Sequence, residues 1–106
     1  QGSGVQLATQ ANVAAAGSST TNATVVTGDI IDVTTCGSGA GIRFNSTPQG
    51  RFRLVINRGA NALAVYPPTG GRIQQGNINA AYSMNSAVSA LFFAKEADQF
   101  MVIKTG

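Results

Sequence analysis

Residues 51–58 read RFRLVINR, and this stretch decides the fold class. Apolar and polar side chains alternate along it, which is the period of a β-strand with two different faces. One face consists of Phe52, Leu54 and Ile56, and the other of Arg51, Arg53, Val55 and Asn57. The alternation predicts a strand that has one face on a core and the other toward solvent or a partner.

The segment that follows predicts a turn and a second strand. Residues 59–61 (GAN) are expected to form a hairpin loop, from which residues 62–66 (ALAVY) return. Residues 67–71 (PPTGG) end that strand, because Pro cannot donate a hydrogen bond to a ladder and Gly tolerates a positive φ. This region therefore predicts two neighbouring antiparallel strands.

Similar short β-branched and aromatic runs, separated by turn residues, occupy the chain from residue 23 onward. We expect an all-β fold, specifically an antiparallel β-sandwich that is jelly-roll-like or a small barrel. Residues 87–95 (AVSALFFAK) and 99–104 (QFMVIK) are apolar on both faces, with a hairpin turn at 96–98. Either these strands are central, or another subunit covers one of their faces.

The N-terminal residues differ from the rest in composition. Residues 6–24 (QLATQANVAAAGSSTTNAT) carry no charge and few large apolar side chains. Such a segment is either disordered or laid on another surface. We expect residues 1–24 to form an extended N-terminal arm with a short strand around Val5 to Thr9, and residues 25–106 to form the β-sandwich domain.

Charge and composition limit the possible functions. The chain of 106 residues has 7 basic and 4 acidic residues, a net charge of +3, no His, no Trp and one Cys. Ser, Thr, Asn and Gln supply 33 residues and Leu only 4, which disfavours a helical bundle. Between Val33 and Ala94 there are five arginines and no acidic residue. These arginines either keep a surface solvated or face an acidic partner.

The sequence contains no pattern of an enzyme or a metal site. Residues 37–41 (GSGAG) precede a strand, whereas a phosphate-binding glycine loop precedes a helix. The acidic pairs Asp29 with Asp32 and Glu96 with Asp98 do not form a dense metal-binding loop. Cys36 has no His to act as its base. We expect a protein that is not an enzyme and needs no cofactor, with no apolar run long enough to cross a membrane and no signal peptide.

Residues 54–78 (LVINRGANALAVYPPTGGRIQQGNI) resemble a motif of small tailed-bacteriophage virion proteins. That motif has a strand ending in V-x-N-x-G, an L-x-V-Y-P strand and a G-x-x-I turn, followed by two closing strands. The matching residues are Val55, Asn57, Gly59, Leu63, Val65, Tyr66, Pro67, Gly70 and Ile73. The resemblance covers about half of the chain, and the family usually has Trp where this chain has Phe100. It is a structural motif and transfers no catalytic or ligand residue.

The resemblance implies a capsid decoration (cement) protein, located on the capsid surface of the virion and made in the host cytoplasm. Its expected partners are the major capsid protein and two further copies in a homotrimer, with no nucleic acid and no membrane. We expect contacts to the capsid or to neighbouring subunits from Gln6, Leu7, Gln10, Val13, Arg51, Arg53 and Arg58.

The alternative function is that of a phage fibre or tail-spike domain that binds a host surface glycan. Such a domain needs an exposed groove of aromatic and polar side chains. The candidates for that groove are Tyr66, Tyr82 and Asn85.

Overall fold

The computed structural model describes residues 9–74 and 76–105. In these ranges the chain forms ten β-strands and no helix, which confirms the all-β prediction. The strands are β1 (Thr9–Ala15), β2 (Thr24–Val26), β3 (Ile30–Cys36), β4 (Gly41–Phe44), β5 (Phe52–Asn57), β6 (Leu63–Tyr66), β7 (Arg72–Ile73), β8 (Tyr82–Met84), β9 (Ser89–Glu96) and β10 (Gln99–Lys104). None of the described residues belongs to a helix that could cross a membrane.

The strands form two sheets, and the chain passes from one sheet to the other at each of the first eight connections between these strands. Sheet A has the order β1-β3-β5-β9-β10-β7, and sheet B has the order β2-β4-β6-β8. The first three strands of each sheet pair in parallel, so that in sheet A Thr9 aligns with Ile30 and Ile30 with Leu54. This arrangement is solenoid-like, with successive coils of chain lying beside one another.

The expected antiparallel pairing holds for only part of the structure. Strands β5 and β9, β9 and β10, and β6 and β8 are antiparallel, whereas the other five pairs are parallel. The turn predicted at 96–98 does form a hairpin between β9 and β10. The hairpin predicted at 59–61 is wrong, because β5 lies in sheet A and β6 in sheet B. Turn residues mark where a strand ends, but they do not decide which sheet receives the next strand.

The core lies between the two sheets and is centred on aromatic rings. Phe44 of sheet B contacts Phe92 and Phe100 of sheet A, with ring centres 5.1 Å apart in both cases. Tyr82 packs edge-on against Phe92 at 5.7 Å. The edge-to-face contacts of Phe92 with Phe44 and with Tyr82 add to the free energy gained by burying the rings. The three contacts join strands of both sheets into one core.

Strand β5 alternates as predicted, but its arginine-bearing face is the buried one. Arg53, Val55 and Asn57 are each 0 % exposed, whereas Phe52 is 55 % exposed. Leu54 and Ile56 are half-buried on the same side as Phe52. The period of a strand defines two faces without saying which one meets the core. Here the polar side chains of the inner face find enough hydrogen-bond partners to be buried.

The described part of the predicted arm is a strand at the edge of sheet A. Residues Thr9–Ala15 form β1, which pairs with β3, and Val13 and Ala15 are buried in the core. The loop that follows is closed by Asn22, whose Oδ1 accepts hydrogen bonds from the backbone N–H groups of Ser18 and Ser19. Gln6, Leu7 and most of the short strand expected around Val5 to Thr9 lie outside the described residues.

Candidate interaction surface

Three of the residues predicted to make contacts meet at the connection between β2 and β3. Gln10 Oε1 accepts hydrogen bonds from the N–H groups of Thr27, at 2.9 Å, and Gly28, at 3.1 Å. Arg51 donates from Nε to Asp29 Oδ1 at 2.9 Å and from Nη2 to the Thr27 carbonyl at 3.3 Å. The contacts to another protein that the sequence predicts for Gln10 and Arg51 stay predictions. Within the chain, the structure shows that both residues hold this connection in place.

Arg53 supports the same connection from inside the protein. Its Nε donates to the Gly28 carbonyl at 2.9 Å and its Nη2 to the Val26 carbonyl at 3.1 Å. Its Nη1 donates to Thr47 Oγ1 at 2.9 Å. Desolvation by burial lowers the pKa of Arg53 to about 10; the positive charge of Arg51 adds to this shift, and Asp29 opposes it. The guanidinium therefore remains protonated at neutral pH.

The surface contact expected of Arg53 is therefore wrong for this fold, because its side chain is enclosed and its guanidinium is used within the chain. The same correction applies to Val13, which is 6 % exposed and faces the core. Gln10 is half-buried, with its Oε1 bound to the β2–β3 connection.

Arg58 lies at the other end of β5 and remains near the surface. Its Nε is 3.0 Å from Asp32 Oδ1, and its side chain is 60 % exposed. At the first end of β5, Arg51 Nη2 is 2.9 Å from Asp29 Oδ1, with both side chains partly exposed. Each end of β5 thus carries one ion pair, formed within the chain.

An apolar surface lies between these ion pairs, on the side of sheet A that faces away from sheet B. We call this surface the outer face of sheet A. Its apolar side chains come from four neighbouring strands and are those of Ile30, Phe52, Leu54, Ile56, Leu91, Phe93, Met101 and Ile103. Phe52 and Ile103 are 55 % and 63 % exposed, and the others are half-buried.

The strand register arranges seven of these eight side chains in two rows, and the eighth, Ile56, lies beside Asp32 and Ser89. The first row crosses four strands, because Ile30 aligns with Leu54, Leu54 with Leu91, and Leu91 with Ile103. In the second row Phe52 aligns with Phe93, and Phe93 with Met101. The rings of Phe52 and Phe93 are 6.0 Å apart. The signal for this surface in the sequence was the presence of apolar residues on both faces of the segments that form β9 and β10. The sequence did not show which of these residues lie side by side on neighbouring strands.

The residues that carry the resemblance to virion proteins hold the fold together. Asn57 Nδ2 donates hydrogen bonds to the carbonyls of Asn61 at 3.0 Å, Met84 at 3.1 Å and Asn85 at 3.2 Å. Its Oδ1 accepts one from the Gly59 N–H at 3.0 Å. Asn57 thus joins the β5–β6 connection to the β8–β9 connection.

The aromatic residues proposed for a glycan groove are not brought together on one surface. Tyr82 aligns with Val65, whereas Tyr66 is the next residue along β6 and points to the opposite face of sheet B. The Tyr66 hydroxyl donates to the Ser18 carbonyl at 2.7 Å. Tyr82 packs against Phe92. Asn85 is exposed and precedes the turn at residues 86–87.

Metal-binding residues do not gather in the part of the chain that the structure describes, where no three Cys, Asp, Glu or His side chains come together. No protein-family model, curated protein or solved structure matches this chain. The residues and geometry of the chain itself must therefore support any functional assignment.

Proposed function

We propose that this chain is a structural virion protein, a capsid decoration protein that binds the major capsid protein shell and stabilises the expanded head. The proposed action involves no catalytic step. A decoration protein acts through the surfaces it presents and through the stability of its own fold.

The outer face of sheet A is the observation that carries this proposal. Isolated exposed apolar residues are common on any protein, but a contiguous apolar patch across four strands is typical of a surface that binds protein. The two ion pairs at the ends of β5 lie where the polar edge of such an interface would be. A protein-binding module explains this surface better than a small-molecule site, which would be concave.

The proposed contacts to the shell come from the N-terminal arm and from the two arginines at the ends of β5, Arg51 and Arg58. Gln6 and Leu7 lie outside the described residues and remain contacts that are proposed from the sequence alone. Arg58 is the better placed of the two arginines, because its side chain is 60 % exposed and can exchange Asp32 for an acidic group of the shell. Gln10 and Arg53 support these contacts indirectly by holding the β2–β3 connection.

A ligand that binds one state of a shell and not another stabilises the state it binds. If the chain binds the expanded shell and not the precursor shell, it will oppose the return of the shell to the precursor form and raise its temperature of disruption. Positions of local three-fold symmetry on such a shell would suit the proposed homotrimer.

The localisation is tested by electron cryomicroscopy of virions of the phage that encodes this chain, with and without the chain. We expect density at three-fold positions of the expanded head that disappears when the chain is removed. Density on the tail alone would overturn the proposal in favour of the fibre or tail-spike domain that binds a glycan.

The proposed shell contact is tested by co-sedimentation of the purified chain with expanded heads. We expect Arg58→Glu to weaken binding by about tenfold, because it places a negative charge where an acidic shell group is expected. Arg72→Glu is the matched control, since Arg72 is exposed on β7, at the far edge of sheet A. Equal binding by both variants and the unchanged chain would rule out Arg58 as a contact.

A further inference from the structure

The outer face of sheet A leaves more apolar surface exposed than the fold needs. The core between the sheets already contains the inner residues of the same strands, including Val55, Phe92 and Phe100. The outer rows of Ile30, Leu54, Leu91 and Ile103 and of Phe52, Phe93 and Met101 add nothing to that core. Covering these side chains removes apolar surface from water, and the gain in free energy grows with the area that is covered. A second surface that covers these rows would therefore be favoured.

The charges around this face indicate the chemistry of what covers it. Arg51 is paired with Asp29 and Arg58 with Asp32, within the same chain. A strongly charged partner would lose the hydration of its charges against the apolar centre of this face and would meet no counter-charge there. A surface that is apolar at its centre, with one positive and one negative group at each end, fits best. A second copy of this chain presents such a surface and meets no excess of like charge.

The size of the face fits weak self-association. Four strands about 4.8 Å apart, with a length of about 3.4 Å for each of the five residues of β9 from Ser89 to Phe93, cover on the order of 330 Å². Two such faces would together bury on the order of 650 Å², which is below the range of stable specific interfaces. Sheets that pack face to face keep a spacing of about 10 Å, which apolar side chains from both faces fill.

We propose that the outer face of sheet A binds the same face of a second copy of this chain, so that the protein self-associates through the rows containing Leu54 and Phe52. This proposal deepens the proposed function and rests on it; because contact between two identical faces is two-fold, the complex formed through this face is a pair of copies. The self-contact itself rests on the apolar rows and the balanced ion pairs. It leaves the N-terminal arm and Arg58 for the shell.

The test is sedimentation velocity of the purified chain between about 1 and 500 μM, with two variants. Ile103→Glu places a negative charge at the end of the row across four strands, where the side chain is 63 % exposed and its replacement does not disturb the core. Val25→Glu is the matched control, because Val25 is 44 % exposed in β2 of sheet B and undergoes the same change of charge.

We expect the unchanged chain and Val25→Glu to associate as the concentration rises, and Ile103→Glu to require at least tenfold higher concentration. Circular dichroism should show the same fold for all three. A chain that is monomeric throughout this range would overturn the proposal. So would an Ile103→Glu variant that associates as well as the unchanged chain.

Two further measurements separate this proposal from other occupants and from the proposed function. If neutral phosphatidylcholine vesicles bind the unchanged chain but not Ile103→Glu, and the chain remains monomeric, the occupant is lipid and the proposal fails. If the chain is monomeric and Ile103→Glu weakens its binding to expanded heads, the outer face of sheet A contacts the shell. Self-association is then overturned, and the decoration function stands. Self-association without any binding to heads would support this proposal and overturn the decoration function.

Discussion

The guanidinium carbon of Arg53 lies 4.9 Å from the centre of the Phe44 ring, in the core between the two sheets. A cation over the face of an aromatic ring is attracted to it, and the attraction is stronger where water is excluded. Because Arg53 also donates hydrogen bonds to Val26, Gly28 and Thr47, the buried charge is compensated from several sides. This contact joins β5 of sheet A to β4 of sheet B.

Replacing Arg53 by Lys should destabilise the protein by about 2–4 kcal/mol, although the charge is kept. The single ammonium group of Lys cannot replace the planar fork that reaches three acceptors, and buried acceptors without a donor each lose about 1–3 kcal/mol. Urea unfolding followed by circular dichroism measures the change. Arg72→Lys, at the exposed position of β7, should change the free energy of unfolding by less than about 0.5 kcal/mol. Equal stability of the two variants would contradict the role given to Arg53.

Asn57→Asp should destabilise the protein by about 2–4 kcal/mol at neutral pH. The substitution keeps the shape but removes the Nδ2 donor that serves the carbonyls of Asn61, Met84 and Asn85. It also buries a carboxylate against those carbonyl oxygens. Thermal unfolding at pH 7 measures the loss. Asn85→Asp is the control, because the Asn85 side chain is exposed and only its backbone carbonyl is used. A loss of similar size in both variants would show that Asn57 has no special role.

Gly59→Ala should destabilise the protein by about 2–3 kcal/mol, because there is no space for a side chain at this position. A Cβ atom there would lie 2.5 Å from Cys36 Cβ and 2.7 Å from the Cys36 backbone nitrogen. The neighbouring coil would have to move to relieve such overlap. Gly37→Ala is the control, since a Cβ at Gly37 meets nothing within 4 Å. The midpoints of urea unfolding compare the variants, and a Gly59→Ala midpoint equal to that of Gly37→Ala would contradict the close approach of the coils.

The thiol of Cys36 should be unreactive in the native protein. Cys36 is 4 % exposed, and desolvation by burial raises the pKa of its thiol, so that the reactive thiolate is scarce at neutral and mildly alkaline pH. We expect a thiol reagent at pH 8 to label the unfolded chain within minutes and the native chain many times more slowly. Gly59→Ala should increase the rate for the native chain, because it disturbs the contact with Cys36. Labelling of the native chain at the rate of the unfolded chain would contradict this burial.

By itself, the sequence determined the local features of this protein. The alternation at residues 51–58 and the turn at 96–98 are set by side chains close together in the chain, so the strand β5 and the β9–β10 hairpin could be predicted. The all-β class follows from many such short segments. The apolar residues on both faces of β9 and β10 also indicated strands that are either central or covered by another subunit, and the structure places both strands inside sheet A.

Only the tertiary structure decided which faces and which strands meet. Arg53 lies inside because the Val26 and Gly28 carbonyls and the Phe44 ring, all distant in sequence, gather around it. The parallel pairing of β3 with β5 depends on where the chain goes after each turn, and the turn residues do not specify this. The same register brings Leu54 beside Leu91 and thereby forms the outer face of sheet A. Contacts of this kind depend on the free energy of the whole packed chain, and no local pattern contains them.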